Sequence, residues 1–222
     1  MLSTTLEKEK DQLDLGALLN GDPKVVSVDI DDTLTPFNDL AKKVIWDRHC
    51  KTGRKIYKSF VYASINHWRS PVAPLGIEEW LDVVAECHSN ENILSNQPLA
   101  GSVEAINMLA EYNDIYYVSN RAPSTYVATV EWLTKCGYPS PNRCICLNDQ
   151  PKIEFFKREG VDYIIDDRPK TLTDFVYSAP NKKAFGLLTE YNASLTDIDN
   201  IYLAHDWYGL AYYFEKEVYG EQ

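Results

Sequence analysis

The sequence predicts an α/β fold, a parallel β-sheet flanked by helices, with a small all-helical cap inserted after the first strand. Short apolar segments alternate with helical stretches, which is the pattern of βαβ crossovers. Each of these apolar segments ends in polar residues. One long stretch, residues 38–97, has helical periodicity and no clear strand. We therefore expect an α/β core of residues 1–37 and 98–222 and a helical cap of residues 38–97.

Four segments are predicted as strands, and a fifth is a candidate. They are Lys24 to Val28, Ile115 to Val118, Arg143 to Leu147 and Tyr163 to Ile165, with Ala184 to Leu188 as the candidate. The first is apolar on both faces and rich in valine, as in a buried parallel strand. The helices predicted in the cap are Leu40 to Cys50, Lys55 to His67 and Ile77 to His88. A cap inserted there would lie over the carboxyl end of the sheet, where open α/β folds bind ligands.

Three carboxylates follow the first predicted strand within four positions: Asp29, Asp31 and Asp32, with Thr33 next. Crowded carboxylates repel one another and lose hydration, and a bound cation, usually Mg²⁺, compensates for both effects. If the strand continued, Asp29 and Asp31 would face one side and Asp32 the other. Two acidic groups facing one pocket suit a nucleophile and a general acid/base. The alternative is a polar turn that ends a strand.

The other predicted strands also end in polar side chains. These are Ser119, Asn120 and Arg121 after the second strand, Asn148 and Asp149 shortly before Lys152 after the third, and Asp166 and Asp167 after the fourth. Because the carboxyl ends of parallel strands lie side by side, these groups should meet at one edge of the sheet. A carboxylate, a hydroxyl, an ammonium and an acidic pair around Mg²⁺ are the parts that a phosphoryl-transfer site requires.

Taken together, these four motifs resemble those of the haloacid dehalogenase (HAD) superfamily of aspartate-nucleophile phosphohydrolases, whose core is a Rossmann-like sheet. The resemblance implies that Asp29 attacks phosphorus and forms an aspartyl-phosphate. It implies that Asp31 protonates the leaving alkoxide and then activates the hydrolytic water. Ser119 would hydrogen-bond the phosphoryl group, and Lys152 would neutralise charge on its oxygens. Thr33 would help to position the loop.

The same resemblance implies a magnesium site. Its ligands would be Asp29, the backbone carbonyl of Asp31, and one of Asp166 and Asp167, while the other supports it. The alternation of side chains along a strand does not decide whether Asp166 or Asp167 contacts the metal.

Lys157 competes with Lys152 for the role of the charge-neutralising lysine. Lys152 starts its predicted helix at the face where the strands end. The rise of ~1.5 Å per residue carries Lys157 about 7 Å along the helix and off that face. Lys152 is therefore the predicted residue.

A closer resemblance is to the 5′(3′)-deoxyribonucleotidases. Gln97 to Ala105 is similar to the segment that leads into their second motif, and Ile165 to Pro169 is similar to their metal motif. His205-Asp206-Trp207 is similar to the start of their C-terminal helix. Phe37 falls where those enzymes place an aromatic residue near the nucleobase. We expect substrate contacts from four residues: Thr33, Phe37, Asn120 and Arg121.

The sequence thus predicts a Mg²⁺-dependent phosphatase acting on a small phosphomonoester, with a nucleoside monophosphate as the expected substrate. The alternatives are a polynucleotide 3′-phosphatase, another small-metabolite phosphatase, and a non-catalytic protein that binds a phosphorylated ligand. A net charge of −11 argues against a stable nucleic-acid complex. The stretch from Lys42 to Lys58 is basic although the chain as a whole is acidic. We interpret it as a solvated helix face, and the alternative is a positive rim that attracts anionic substrates.

We expect a cytoplasmic protein without a membrane partner. No apolar run approaches the ~18 residues of a membrane span. Residues Met1 to Asn20 contain no apolar stretch typical of a secretion signal. Five cysteines, an odd number without regular spacing, indicate a reducing compartment. The sequence does not define an oligomeric state.

Overall fold

A six-stranded parallel sheet forms the centre of the computed structural model, which describes residues 23–52 and 76–220. The strand order is β3-β2-β1-β4-β5-β6, and every neighbouring pair is parallel. The strands are β1 (Lys24–Val28), β2 (Asn113–Ser119), β3 (Cys144–Cys146), β4 (Tyr163–Ile165), β5 (Lys183–Leu187) and β6 (Ile201–Ala204). The predicted α/β class with a parallel sheet is confirmed.

Eight α-helices accompany the sheet in the ranges that the structure describes. They are α1 (Phe37–Thr52), α2 (Ile77–Cys87), α3 (Asn90–Ser95), α4 (Ser102–Ala110), α5 (Tyr126–Cys136), α6 (Lys152–Glu159), α7 (Pro169–Val176) and α8 (Trp207–Tyr219). The predicted cap helix Lys55 to His67 lies outside the described residues. No helix among those described is long and apolar enough to cross a membrane.

Strand β6 and helix α3 are among the elements that were not predicted, whereas the candidate fifth strand is present as β5. Strand β6 has four residues, Ile-Tyr-Leu-Ala, at the edge of the sheet, and because all four are apolar the segment shows no apolar–polar alternation. Helix α3 has six residues and a single buried one, Ile93. Neither element has a local pattern that specifies it.

The residue register aligns the ends of the central strands. Val28 of β1 pairs with Tyr117 of β2 on one side and with Ile165 of β4 on the other. The ladder extends one residue further, because the backbone N–H of Asp29 donates to the carbonyl of Ile165 at 2.8 Å. The backbone N–H of Asp166 likewise donates to the carbonyl of Phe185 at 3.0 Å. Asp29 and Asp166 therefore leave the sheet side by side.

Apolar residues pack on both faces of the sheet. One cluster joins inward residues of β1, such as Val28, to helices α4, α5 and α8. The other joins Val118 and Ile164 to helices α6 and α7. The resulting helix–sheet–helix layers leave the carboxyl edge of the strands as the place where polar groups gather.

A third apolar cluster lies between the two cap helices, α1 and α2. It contains buried side chains from both helices, among them Phe37, Ile45, Trp80 and Val83. Helix α3 does not share this cluster, since Ile93 belongs to the core cluster on the sheet. The predicted cap range, residues 38–97, thus includes one helix that packs on the α/β core.

The carboxyl end of β4 passes very close to a glycine of β5. A Cβ atom added to Gly186 would lie 2.3 Å from the carbonyl oxygen of Asp166 and 3.3 Å from Leu203 Cδ2. We expect Gly186→Ala to lower the free energy of unfolding by about 1–3 kcal/mol, because backbone cannot move aside as a flexible side chain can. Urea unfolding measures this loss. Gly76→Ala is the control, because its added Cβ meets no described atom within 4 Å, and equal stability of the two variants would contradict the expectation.

Candidate active site

The loop after β1 is a tight turn. The backbone N–H groups of Leu34 and Thr35 both donate to the carbonyl of Ile30, at 2.8 and 3.0 Å. Asp32 has a left-handed backbone conformation with φ of 59°, and its Oδ1 accepts a hydrogen bond from the backbone N–H of Asn38 at 2.8 Å. This contact ties the loop to the first turn of α1.

The strand geometry expected for Asp29 to Asp32 is therefore wrong, because β1 already ends at Val28. Asp32 does not project from a strand to the opposite face. Burial, with the nearby carboxylates of Asp31 and Asp29, raises the pKa of Asp32 to about 7. Asp32 therefore belongs to the same acidic neighbourhood as the other two aspartates.

Two segments that are distant in the sequence donate hydrogen bonds to the same loop. The indole N–H of Trp207, the first residue of α8, donates to the carbonyl of Thr33 at 2.9 Å. The backbone N–H of Leu99 donates to the carbonyl of Leu34 at 2.8 Å. The Thr33 side chain is buried, and its hydroxyl has no hydrogen-bond partner among the described residues. Its predicted substrate contact stays a prediction.

Lys152, the first residue of α6, lies between two buried carboxylates. Its Nζ is 2.5 Å from Asp29 Oδ1 and 2.7 Å from Asp166 Oδ2. Burial alone would lower the pKa of Lys152, but Asp166 and Asp29 outweigh that effect and raise it. The competing residue Lys157 is exposed, and its Nζ lies 3.9 Å from Glu154 Oε1. The structure thus brings Lys152 to Asp29 and leaves Lys157 at the surface.

Three buried aspartates, which we call the acidic trio, meet beside Lys152: Asp29, Asp166 and Asp167. Each offers a carboxylate oxygen within 4.8 Å of the others. Burial and mutual repulsion raise the pKa of Asp29 and, more strongly, that of Asp167. One ammonium does not balance three carboxylates in a buried site, so the charge distribution fits a bound cation.

The hydrogen bonds distinguish Asp166 from Asp167. Both oxygens of Asp166 have donors, since Oδ2 accepts from Lys152 and Oδ1 from the backbone N–H of Arg168 at 2.8 Å. Asp167 Oδ2 accepts from the hydroxyl of Tyr191. Its Oδ1 is buried without a partner in the described part of the chain. Asp167 therefore has an oxygen available for Mg²⁺, a hard cation that prefers oxygen ligands, whereas Asp166 positions Lys152.

The carboxylate of Asp31 is held by two side chains outside the acidic trio. Arg121 donates from Nη2 to Oδ1 at 2.6 Å and from Nε to Oδ2 at 3.1 Å. His88 Nε2 lies 3.2 Å from Oδ2. Burial would raise the pKa of Asp31, but Arg121 and His88 hold it well below its usual range. Asp31 is therefore an ionised carboxylate in this arrangement.

His88 is a site residue that the sequence did not indicate. It follows the last residue of α2, 57 positions away from Asp31, and its ring centroid lies 5.1 Å from that of Phe37. Phe37 itself is buried in the cap cluster. Its predicted contact with a nucleobase remains a prediction.

The residues after β2 are also buried at this edge. Ser119 is 1% exposed, and its Oγ accepts from the backbone N–H of Arg121 at 3.2 Å. In the amide orientation that satisfies its neighbours, Asn120 accepts from Arg168 Nη1 at 2.6 Å and donates to the carbonyl of Gln150 at 3.2 Å. The substrate contacts predicted for Asn120 and Arg121 stay predictions, and the structure shows both side chains engaged by protein groups.

Solved structures with a similar fold include HAD-like hydrolases and a β-phosphoglucomutase. A haloacid dehalogenase-like hydrolase from Streptococcus pneumoniae has a TM-score of 0.64 at 12% identity, covering 86% of this chain and 98% of that one. A HAD family hydrolase from Deinococcus radiodurans, solved with bound phosphate and sodium, has a TM-score of 0.54 at 14% identity, covering 90% and 98%. The β-phosphoglucomutase from Clostridium difficile has a TM-score of 0.55 at 16% identity, covering 90% and 98%.

No protein-family model and no curated protein matches the sequence. At identities of 12–16% the structural likeness concerns the fold and carries no statement about activity. The chain has the α/β fold that HAD-like hydrolases share.

Proposed function

We propose that this chain is a Mg²⁺-dependent phosphatase that hydrolyses a small phosphomonoester through an aspartyl-phosphate on Asp29. The observation that carries the proposal is the acidic trio with Lys152. A buried carboxylate at the carboxyl edge of the sheet contacts an ammonium and lies within 4.8 Å of two further carboxylates. This is the combination of nucleophile, fixed positive charge and metal ligands that phosphoryl transfer requires.

The residues have distinct roles in this reaction. A carboxylate oxygen of Asp29 forms a bond to phosphorus while the bond from phosphorus to the ester oxygen breaks. Because Asp31 is ionised in the free protein, it first takes up a proton from solvent. It then delivers this proton to the leaving alkoxide, and afterwards takes one back from the water that hydrolyses the aspartyl-phosphate. Lys152 neutralises negative charge beside Asp29 throughout. Asp29, Asp167 and the backbone carbonyl of Asp31 would hold Mg²⁺, whose positive charge would stabilise the phosphoryl oxygens.

We further propose a nucleoside monophosphate as the substrate. The support is the resemblance of two segments to those of the 5′(3′)-deoxyribonucleotidases, and both segments contact the nucleophile loop here. In the segment Gln97 to Ala105, the backbone N–H of Leu99 donates to the carbonyl of Leu34. In the segment His205-Asp206-Trp207, the indole N–H of Trp207 donates to the carbonyl of Thr33. Four aromatics of the predicted cap lie outside the described residues: Tyr57, Phe60, Tyr62 and Trp68. The sequence favours them as core residues, and the alternative is a stacking platform for a base.

A phosphate-release screen tests the substrate. We expect inorganic phosphate from nucleoside monophosphates in the presence of Mg²⁺, at a higher rate than from sugar phosphates or a 3′-phosphorylated oligonucleotide. EDTA should stop the release, and added Mg²⁺ should restore it, because the acidic trio then regains its compensating charge. Preference for the oligonucleotide would favour the polynucleotide 3′-phosphatase. Binding of all esters without release would overturn the proposal.

The nucleophile is tested by Asp29→Asn, which keeps the shape of the side chain and removes its charge. We expect turnover to fall by about 10⁴-fold or more, because a neutral amide cannot attack phosphorus. Asp39→Asn is the matched control, since Asp39 is an exposed aspartate in the same region. It should retain activity within about twofold. A variant Asp29→Asn that remains as active as the unmodified protein would remove Asp29 from the mechanism.

The lysine is tested by the same substitution at two positions of α6. We expect Lys152→Met to lower kcat/KM by about 10²–10³-fold, as the loss of a transition-state charge contact does. Lys157→Met should change kcat/KM by less than about twofold, because Lys157 lies at the surface. Circular dichroism and thermal melting would check that both variants are folded. Equal effects of the two substitutions would show that the position of Lys152 has no catalytic consequence.

A further inference from the structure

The segment after β5 contacts Asp167 through two neighbouring residues. The hydroxyl of Tyr191 donates to the carboxylate oxygen Oδ2 of Asp167. The side-chain amide of Asn192 donates to the backbone carbonyl of the same aspartate at 3.1 Å. This segment therefore holds both the side chain and the main chain of an aspartate that the phosphatase reaction proposed above uses as a metal ligand.

Asn192 fixes the position of this segment against the sheet. Its side chain is fully buried. The amide also donates to the carbonyl of Leu187, the last residue of β5, at 2.9 Å, and its Oδ1 accepts from the backbone N–H of Thr189 at 2.8 Å. Because a buried amide is costly to leave without partners, these contacts stabilise one arrangement of the turn. Tyr191, next to Asn192, is thereby placed beside Asp167.

The two oxygens of the Asp167 carboxylate have different surroundings. Oδ2 accepts from the Tyr191 hydroxyl, whereas Oδ1 is buried without a hydrogen-bond partner among the described residues. A phenol keeps its proton at neutral pH, and a carboxylate that binds a metal ion only accepts hydrogen bonds. Tyr191 therefore still donates to Oδ2 when a cation is bound, and Oδ1 is the oxygen left for the cation.

We propose that Tyr191 is a positioning residue that limits Asp167 to one metal-binding oxygen, Oδ1, and so favours Mg²⁺ over Ca²⁺. Ca²⁺ takes about six to eight oxygen ligands and accepts a carboxylate through both oxygens, whereas the smaller Mg²⁺ demands near-octahedral geometry. A hydroxyl on Oδ2 competes with binding through both oxygens. The inference rests on the metal site of the proposed phosphatase function.

The alternative is that the Tyr191 hydroxyl only completes the packing of the turn. Tyr191→Phe removes the hydroxyl and keeps the ring. Tyr117→Phe is the matched control, because the hydroxyl of the buried Tyr117 also donates a hydrogen bond, but to the carbonyl of Pro139 at 2.8 Å and not to a carboxylate. Thermal melting without metal would check that both variants are folded.

The readout is the dissociation constant of each metal ion. Isothermal titration calorimetry of the metal-free full chain, with MgCl₂ and with CaCl₂ at equal ionic strength, measures both constants. Loss of a hydrogen-bond partner of a metal ligand typically weakens metal binding by about 10–100-fold. We expect Tyr191→Phe to weaken Mg²⁺ binding by about tenfold or more, but Ca²⁺ binding by less than about threefold, because Ca²⁺ can then use both oxygens. Tyr117→Phe should leave both constants within about twofold of those of the unmodified protein.

Two results would overturn the inference. Equal weakening of both ions would show that Tyr191→Phe only disturbs the turn, and unchanged binding of both ions would show that the hydroxyl has no role at the metal site. Phosphate release by Tyr191→Phe gives a second check, since it should need more Mg²⁺ but approach the rate of the unmodified protein at saturating Mg²⁺. A merely structural defect would not be restored in this way.

The same measurements distinguish this inference from the proposed function. If Tyr191→Phe shows the expected selective loss of Mg²⁺ binding but the unmodified protein releases phosphate from no ester, the proposed function fails and the role of Tyr191 at the metal site stands. If the unmodified protein binds no Mg²⁺, both are overturned.

Discussion

Buried negative charge at the carboxyl edge of the sheet is the constraint on which the rest of the site depends. The register of β1 against β4 makes Asp29 and Asp166 leave the sheet together, and Asp167 follows in the next position. Removing one partner of a buried ion pair costs about 3–5 kcal/mol, because the other charge remains uncompensated. Lys152 at the start of α6 and the hydroxyl of Tyr191 donate hydrogen bonds to these carboxylates and so offset part of this cost. The same groups create the strong local field that phosphoryl transfer uses.

Much of this arrangement could be predicted from the sequence, because polar residues directly follow each predicted strand. The apolar run Lys24 to Val28 forms a strand with the predicted bounds. Polar residues that follow different parallel strands must meet at one edge, whatever the detailed packing. Helical geometry was also sufficient to prefer Lys152 to Lys157 for a place at that edge. These inferences need only the spacing of apolar residues in each helix or strand and the order of helices and strands along the chain.

The remaining site residues depend on packing that has no local signal. His88 reaches Asp31 only because α2 ends above the loop after β1. Tyr191 lies in the segment after β5 and reaches Asp167 from 24 positions away. Asp32 was misplaced because the backbone turns left-handed where a continued strand was assumed. In each case the position follows from a loop or a helix end, where neither a 3.6-residue nor a two-residue period applies.

Asp29 and Asp31 are two positions apart in one loop, yet their surroundings act in opposite directions. Burial and the neighbouring carboxylates raise the pKa of Asp29. The side chains of Arg121 and His88, acting against burial, lower that of Asp31. Arg121 is itself held by Thr129 and the end of β2, whereas His88 comes from the end of α2. Asp31 is thereby connected to the end of α2, whereas the described contacts of Asp29 come from β4 and α6.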